Sequence, residues 1–122
     1  MENKEVSIDL AKEVVQSIIG DVRTHITIEE IQRVVCEQLR IPEDLIRAKT
    51  RKQEIVNARQ IAMYLSKELT NSSLKTIGLH FGGRDHSTVI HAYQTVEDIM
   101  NTNQQQKLII QQIRSRLERN IN

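Results

Sequence analysis

The stretch FGGRDHSTVIHAY, residues 81–93, gathers side chains that are able to do chemistry. After a pair of glycines it holds an aspartate, two histidines, a serine and a threonine. Such groups suit a metal centre, an acid–base catalytic site, or a surface that makes hydrogen bonds to a polar ligand. The spacing of these groups, and the elements that carry them, distinguish between the three.

The histidine spacing disfavours a metal centre. Helical metal ligands stand at i and i+4, whereas His86 and His91 are five residues apart, which is about 140° around a helix. His80 lies across the glycine pair, and nothing in the spacing favours an acid–base arrangement with Asp85. No GxxxxGK[ST] phosphate loop occurs in the chain. We therefore expect no catalytic activity, no metal and no cofactor.

Hydrophobic periodicity predicts an all-α, multi-helix domain. Apolar residues recur at helical spacing in six segments: 7–20, 27–39, 53–69, 74–81, 85–100 and 104–119. A further short helix is expected in IPEDLIRA, residues 41–48, because proline suits a first helical turn. The two glycines permit the positive φ angles of a tight turn. Residues 74–81 are then the first helix of a helix-turn-helix, whose recognition helix begins near Asp85.

Several residues are expected to define these elements. Thr27 begins a capping box with Glu30, and Ser73 is the predicted N-cap of the helix over 74–81. Phe81 and Val89 are the apolar side chains predicted to hold the two helices of the motif together.

Two interpretations of the recognition-helix tip stay open at this point. In a DNA-binding motif, Asp85 accepts a hydrogen bond from cytosine N4, His86 donates or accepts, and the Ser87 and Thr88 hydroxyls do either. In the structural alternative, Asp85 is an N-cap, Arg84 is merely solvated, and the hydroxyl residues are ordinary first-turn residues.

The charge balance makes any nucleic-acid surface a local one. The chain of 122 residues has 17 Lys and Arg against 16 Asp and Glu, a net charge of +1, whereas whole nucleic-acid-binding domains tend to be strongly basic. One basic patch lies within residues 47–60, where five cations oppose Glu54 alone: Arg47, Lys49, Arg51, Lys52 and Arg59.

Cysteine usage and hydropathy indicate the compartment. Cys36 is the single cysteine, so no internal disulfide forms, and its valine neighbours predict a buried, unreactive thiol. No apolar run approaches the roughly 18–20 residues of a membrane span. The chain is therefore predicted to be cytoplasmic.

The same stretch closely resembles the signature of the C-terminal DNA-binding domain of the DnaA family of chromosomal replication initiators. The likeness extends through residues 50–92 and more loosely through 26–39, and GGRDHSTV is its most specific run. It implies a helix-turn-helix domain of the Trp-repressor-like, DnaA C-terminal type over 24–119. Residues 1–23 resemble the helix that links this domain to an ATPase module in full-length members, so the chain resembles a piece without that module.

The resemblance implies sequence-specific binding of double-stranded DNA at the DnaA box, by a nucleoid-associated monomer that acts in replication initiation and its regulation. Full-length initiator and regulatory proteins are the further partners expected. Asp85, His86 and Ser87 match positions that contact bases in the major groove, Thr88 lies beside them, and Arg51 matches an arginine of the adjacent minor groove. The positions expected to contact phosphate are Lys52, Arg59, Gln60, Lys67, Leu74, Lys75 and His91.

This chain departs from the family pattern at several positions. Many members have threonine where Ser87 stands, Arg-Pro where Asn57 and Ala58 stand, and proline where Lys75 stands. Two other functions fit the same elements. One is a helix-turn-helix transcriptional regulator, and the other is a helical protein-interaction module that uses the helices over 7–20 and 104–119.

Overall fold

The computed structural model describes residues 25–119, which form five α-helices and one 3-10 helix and contain no strand. The elements are α1 (Ile28–Leu39), the 3-10 helix (Glu43–Arg47), α2 (Gln53–Leu69), α3 (Leu74–His80), α4 (His86–Thr102) and α5 (Gln104–Arg119). The all-α prediction is confirmed. The helix predicted over 7–20 lies outside the described residues. No helix within 25–119 is both long and apolar enough to span a bilayer.

Side-chain caps define where α1 and α3 begin. The Thr27 hydroxyl accepts from the Glu30 N–H at 3.1 Å, and the Ser73 hydroxyl accepts from the Thr76 N–H at 3.1 Å. Both predicted caps are therefore confirmed. The segment after Pro42 forms a 3-10 helix of five residues, a form that such short helical connections commonly take.

Helix α2 lies at the centre of the domain, in contact with α1, α3, α4 and the 3-10 helix. Its middle is buried on nearly all sides, from Ile61 to Ser66. Phe81 and Val89 are each 0% exposed and join α3 and α4 to this core, as predicted. Since core packing is close to crystalline density, the relative positions of α3 and α4 are fixed through these contacts.

A buried glutamine connects α1 to the elements that carry the site. Gln32 is 1% exposed, its amide nitrogen donates to the His80 carbonyl at 2.8 Å, and its amide oxygen accepts from Arg47 Nη1 at 3.1 Å. Because the amide nitrogen and the amide oxygen each have a hydrogen-bond partner, neither atom is buried without one. The end of α3 and the end of the 3-10 helix are thereby held to one side chain of α1.

The Cys36 thiol lies within the core, as the sequence predicts. It is 3% exposed, and burial, with a smaller contribution from the charge of Glu43, raises its pKa to about 11. A thiol reacts as its thiolate, so both burial and this pKa suppress its reactivity.

We expect Cys36 to react with Ellman's reagent at pH 8 at least about 100-fold more slowly in the native protein than in denaturant, because little thiolate forms and the reagent has no access. Absorbance stopped-flow measures both rates, and Cys36→Ser sets the background. Equal native and denatured rates would contradict the burial of this thiol.

Candidate nucleic-acid interface

Three glycines shape the turn between α3 and α4. Gly82 and Gly83 have φ angles of 88° and 78°, so the predicted tight turn is confirmed. A Cβ on Gly82 would lie 2.4 Å from the Arg47 carbonyl oxygen, and one on Gly78 would lie 2.0 Å from the Arg84 carbonyl oxygen. The turn therefore packs directly against α3 and against the end of the 3-10 helix, a closeness that requires glycine.

The first residues after the turn, Asp85 to Thr88, form a polar surface that we call the α4 tip. All four side chains are exposed. Asp85 Oδ1 accepts from the Thr88 N–H at 3.0 Å, the Thr88 hydroxyl at 2.9 Å and the Ser87 hydroxyl at 2.9 Å. These bonds lower the pKa of Asp85, and the bond from the Thr88 side chain contributes most. Asp85 is thus the N-cap of α4, as predicted.

These bonds determine which hydrogen-bonding groups the α4 tip offers outward. Both hydroxyl protons point to Asp85, so the oxygens of Ser87 and Thr88 present lone pairs to solvent. Within residues 25–119, the hydrogen bonds of the Asp85 carboxylate all end on Oδ1. The α4 tip is therefore rich in acceptors, which suits amino groups such as cytosine N4 or adenine N6.

Arg84 is part of the framework of the site, and the alternative in which it is merely solvated is wrong. Its side chain is half-buried, its Nε donates to the Phe81 carbonyl at 3.0 Å, and its Nη2 donates to the Ala48 carbonyl at 2.9 Å. Arg84 therefore connects the turn to the basic loop, by which we mean residues 48–52 between the 3-10 helix and α2.

Arg59 holds the same loop from the other side. It is 6% exposed, and its guanidinium donates to the carbonyls of Ile46 at 3.2 Å, Ala48 at 2.9 Å and Thr50 at 3.3 Å. Desolvation by burial, and then the charge of Arg84, lower the pKa of Arg59. Three carbonyls around one guanidinium compensate for the removal of its charge from water.

The burial of Arg59 argues against the phosphate contact predicted for it. Its donors already serve the backbone of the basic loop, so we assign it a positioning role and no direct contact. The basic sequence around Arg59 gave no indication that this side chain would be buried. One signal was available, since Arg59 follows Ile55 by four residues and precedes Ala62 by three, on the apolar face of α2.

The basic loop and the α4 tip border one cleft of about 430 Å³. We call it the arginine cleft; it is lined by Lys49, Thr50, Arg51, Val56, Arg59, Gly82, Gly83, Arg84, Asp85 and Thr88. Arg51 is exposed at this cleft, so the fold brings the predicted minor-groove arginine onto one surface with the α4 tip. Lys52, next along the loop, is also exposed.

The other predicted phosphate residues are more dispersed. Leu74 and Lys75 line a second cleft, together with Asp85 and His86. Lys67 and His91 are exposed on α2 and α4, Gln60 is half-buried, and none of the three lines either cleft. The structure thus brings Arg51 and Lys75 to clefts that the α4 tip also lines, whereas Lys52, Gln60, Lys67 and His91 line neither cleft.

No group of three potential His, Cys, Asp or Glu metal ligands occurs in the part of the chain that the structure describes.

The α3–turn–α4 unit and its polar tip define a helix-turn-helix domain. Residues 28–96 match the family model described as the bacterial DnaA protein helix-turn-helix. The chain therefore belongs to the DnaA family.

Similar full-length proteins support this membership. Over 97% of its length, the chain is 45% identical to the chromosomal replication initiator protein DnaA of Chlorobaculum tepidum. The DnaA proteins of Flavobacterium psychrophilum and Bacteroides thetaiotaomicron are 40% and 38% identical over 93% and 96% of the chain. The chain spans about a quarter of the length of these relatives, at 24%, 24% and 25%.

We expect Arg59→Met to lower the free energy of unfolding by about 1.5–3 kcal/mol, because the variant leaves the carbonyls of Ile46 and Thr50 without a charged donor. Urea denaturation followed by circular dichroism measures the change. Lys67→Met, on the same helix but exposed, is the matched control and should stay within about 0.5 kcal/mol of wild type. Equal effects of the two substitutions would refute the positioning role.

Proposed function

We propose that this chain binds double-stranded DNA sequence-specifically at a DnaA box, as a monomer and without catalysis of its own, and thereby serves chromosomal replication initiation. One observation carries the proposal. Arg59 and Arg84 hold the basic loop beside the turn, so that Arg51 and the α4 tip border the same cleft. The names of the relatives, chromosomal replication initiator proteins, support the biological process.

The α4 tip is suited to base edges in the major groove, whose width admits an α-helix. In this proposal Asp85, His86 and Ser87 contact bases directly, with Thr88 beside them. The acceptor-rich tip favours base pairs that present an amino group at the contacted position. Since each bidentate or well-aligned contact discriminates against the wrong base, sequence specificity comes from these residues.

Arg51 is suited to the adjacent minor groove. It is an exposed cation on a loop that two guanidiniums fix, and it lines the arginine cleft together with Asp85 and Thr88 of the α4 tip. A narrow A·T-rich minor groove has an enhanced negative potential that attracts such a side chain. The domain then contacts the duplex in two neighbouring grooves.

Phosphate contacts supply the non-specific part of the affinity. Because the net charge of the chain is +1, the attraction depends on where cations stand and not on their total. Lys75 lines the second cleft together with Asp85 and His86, and the exposed Lys52 follows Arg51 on the basic loop, so these two lysines are the strongest candidates. The remaining proposed contacts are Gln60, Lys67, Leu74 and His91.

Fluorescence anisotropy titrations against a duplex with a DnaA box and against a scrambled duplex test this function. We expect the box to bind at least about 100-fold more tightly, and both affinities to fall steeply with salt, with a log–log slope near −0.9 per neutralised phosphate. Duplex binding without box preference would favour a helix-turn-helix regulator of another sequence. Failure to bind duplex even at low salt would favour a protein-interaction module.

Asp85 has two roles that different substitutions separate. We expect Asp85→Asn to keep the N-cap, since asparagine caps as well as aspartate, but to weaken box binding by about 5- to 100-fold, because an acceptor is replaced by a donor. Asp85→Ala should lose both roles and lower the melting temperature by roughly 4–8 °C. Binding to the scrambled duplex should change little in either variant. Wild-type affinity of Asp85→Asn for the box would contradict base contact by this residue.

Lys67→Ala tests the phosphate contribution of α2. If Lys67 contacts phosphate, the variant should weaken binding to both duplexes similarly and reduce the salt slope by about 0.9. The matched control is Lys107→Ala on α5, outside both clefts, which should leave the slope unchanged. A loss confined to the box would speak against a phosphate role.

A further inference from the structure

Leu79 is the most exposed large hydrophobic residue in the part of the chain that the structure describes. It is 62% exposed, against 48% for Leu108 and 38% for Ile90. A single exposed leucine is ordinary on a protein surface. The position of Leu79 in relation to the proposed DNA contacts is what gives it meaning.

Leu79 lies in the second cleft, which we call the leucine cleft. This depression of about 520 Å³ is lined by Leu74, Lys75, Leu79, Arg84, Asp85 and His86. Ile77 and Gly78 on the same helix face the core, so Leu79 stands on the outer side of α3. The cleft therefore runs from the start of α3 to the α4 tip, with Leu79 on its wall.

The two ends of the leucine cleft are both proposed DNA contacts. Lys75 is an exposed cation four residues before Leu79, on the same face of α3. Asp85 and His86, at the other end, are assigned to base edges. A duplex that touches Lys75 with a phosphate and His86 with a base must pass over Leu79.

The chemistry of Leu79 selects one group of the duplex. The α4 tip presents carboxylate, imidazole and hydroxyl groups, whereas Leu79 presents only carbon atoms. The C5-methyl of thymine is the apolar group on the base edges of the major groove, and an aliphatic side chain is its natural partner. We propose that Leu79 is a specificity-determining residue that contacts the methyl group of one thymine of the site. This inference rests on the proposed function.

The proposal makes a local prediction about affinity. Removing one methyl group from a buried apolar contact costs about the free energy of burying one CH₂ group, which corresponds to about 3- to 10-fold in affinity. This loss of affinity must occur when one particular thymine loses its methyl group, and it must disappear when Leu79 is replaced. A general electrostatic contact would instead change all duplexes alike.

The experiment uses the full chain and a set of box duplexes in which each thymine in turn is replaced by deoxyuridine, which removes the C5-methyl alone. Anisotropy titrations compare wild type, Leu79→Ala and the matched control Leu108→Ala, an exposed leucine on α5. We expect one replacement to weaken wild-type binding about 3- to 10-fold. Leu79→Ala should lose that sensitivity, and Leu108→Ala should keep it. Thermal melts should confirm that both variants fold.

Three outcomes would overturn the inference. The first is a wild type that is insensitive to every replacement, and the second is a sensitivity that persists in Leu79→Ala. The third is a Leu79→Ala variant that binds box and scrambled duplexes as wild type does, which would mean that the leucine side chain contributes nothing to DNA binding. Each outcome is distinguishable from failure of the proposed function, in which wild type shows no preference for the box.

Discussion

Two arginine side chains that donate to one carbonyl oxygen organise this domain. Nη2 of Arg59 and Nη2 of Arg84 each lie 2.9 Å from the oxygen of Ala48. Two guanidiniums that share one oxygen repel each other, and their burial adds a desolvation cost to this repulsion. The arrangement is stable because the last carbonyls of a helix have no intrahelical donor. The 3-10 helix ends at Arg47, and the guanidiniums satisfy the carbonyl of Ile46 in its last turn and the carbonyl of Ala48 directly after it.

The position of the basic loop depends on this pair of arginines. Arg59 comes from the centre of α2 and Arg84 from the turn before α4, so the loop is fixed to the core and to the recognition helix together. Without these bonds, nothing in the local sequence would direct Arg51 towards the α4 tip. The proposed binding surface, made of two separate segments, is thereby preorganised, which would reduce the entropy lost on association.

At the α4 tip, one residue both begins the helix and orients the polar groups that the surface presents. Asp85 begins α4 by accepting the Thr88 N–H, and it orients two hydroxyl groups through the same oxygen. The structural and the DNA-binding interpretations of this residue are therefore compatible. The carboxylate organises the helix start, and that organisation determines the pattern of acceptors that the domain presents. Leu79, on the neighbouring helix, adds an apolar surface next to it.

Most of the secondary structure was predictable from the sequence, and much of the site was not. The helices, the caps at Thr27, Ser73 and Asp85, and the glycine turn depend on residues within four positions of one another, so periodicity and capping rules identify them. The inward orientation of Arg59, the bridge from Arg84 and the exposure of Leu79 depend on elements that are distant in sequence. The sequence by itself thus determined which residues stand at the recognition-helix tip, because local hydrogen bonds place them there. Only the tertiary structure decided which cations join them, because a guanidinium faces the core or the solvent according to the carbonyls that packing brings within its reach.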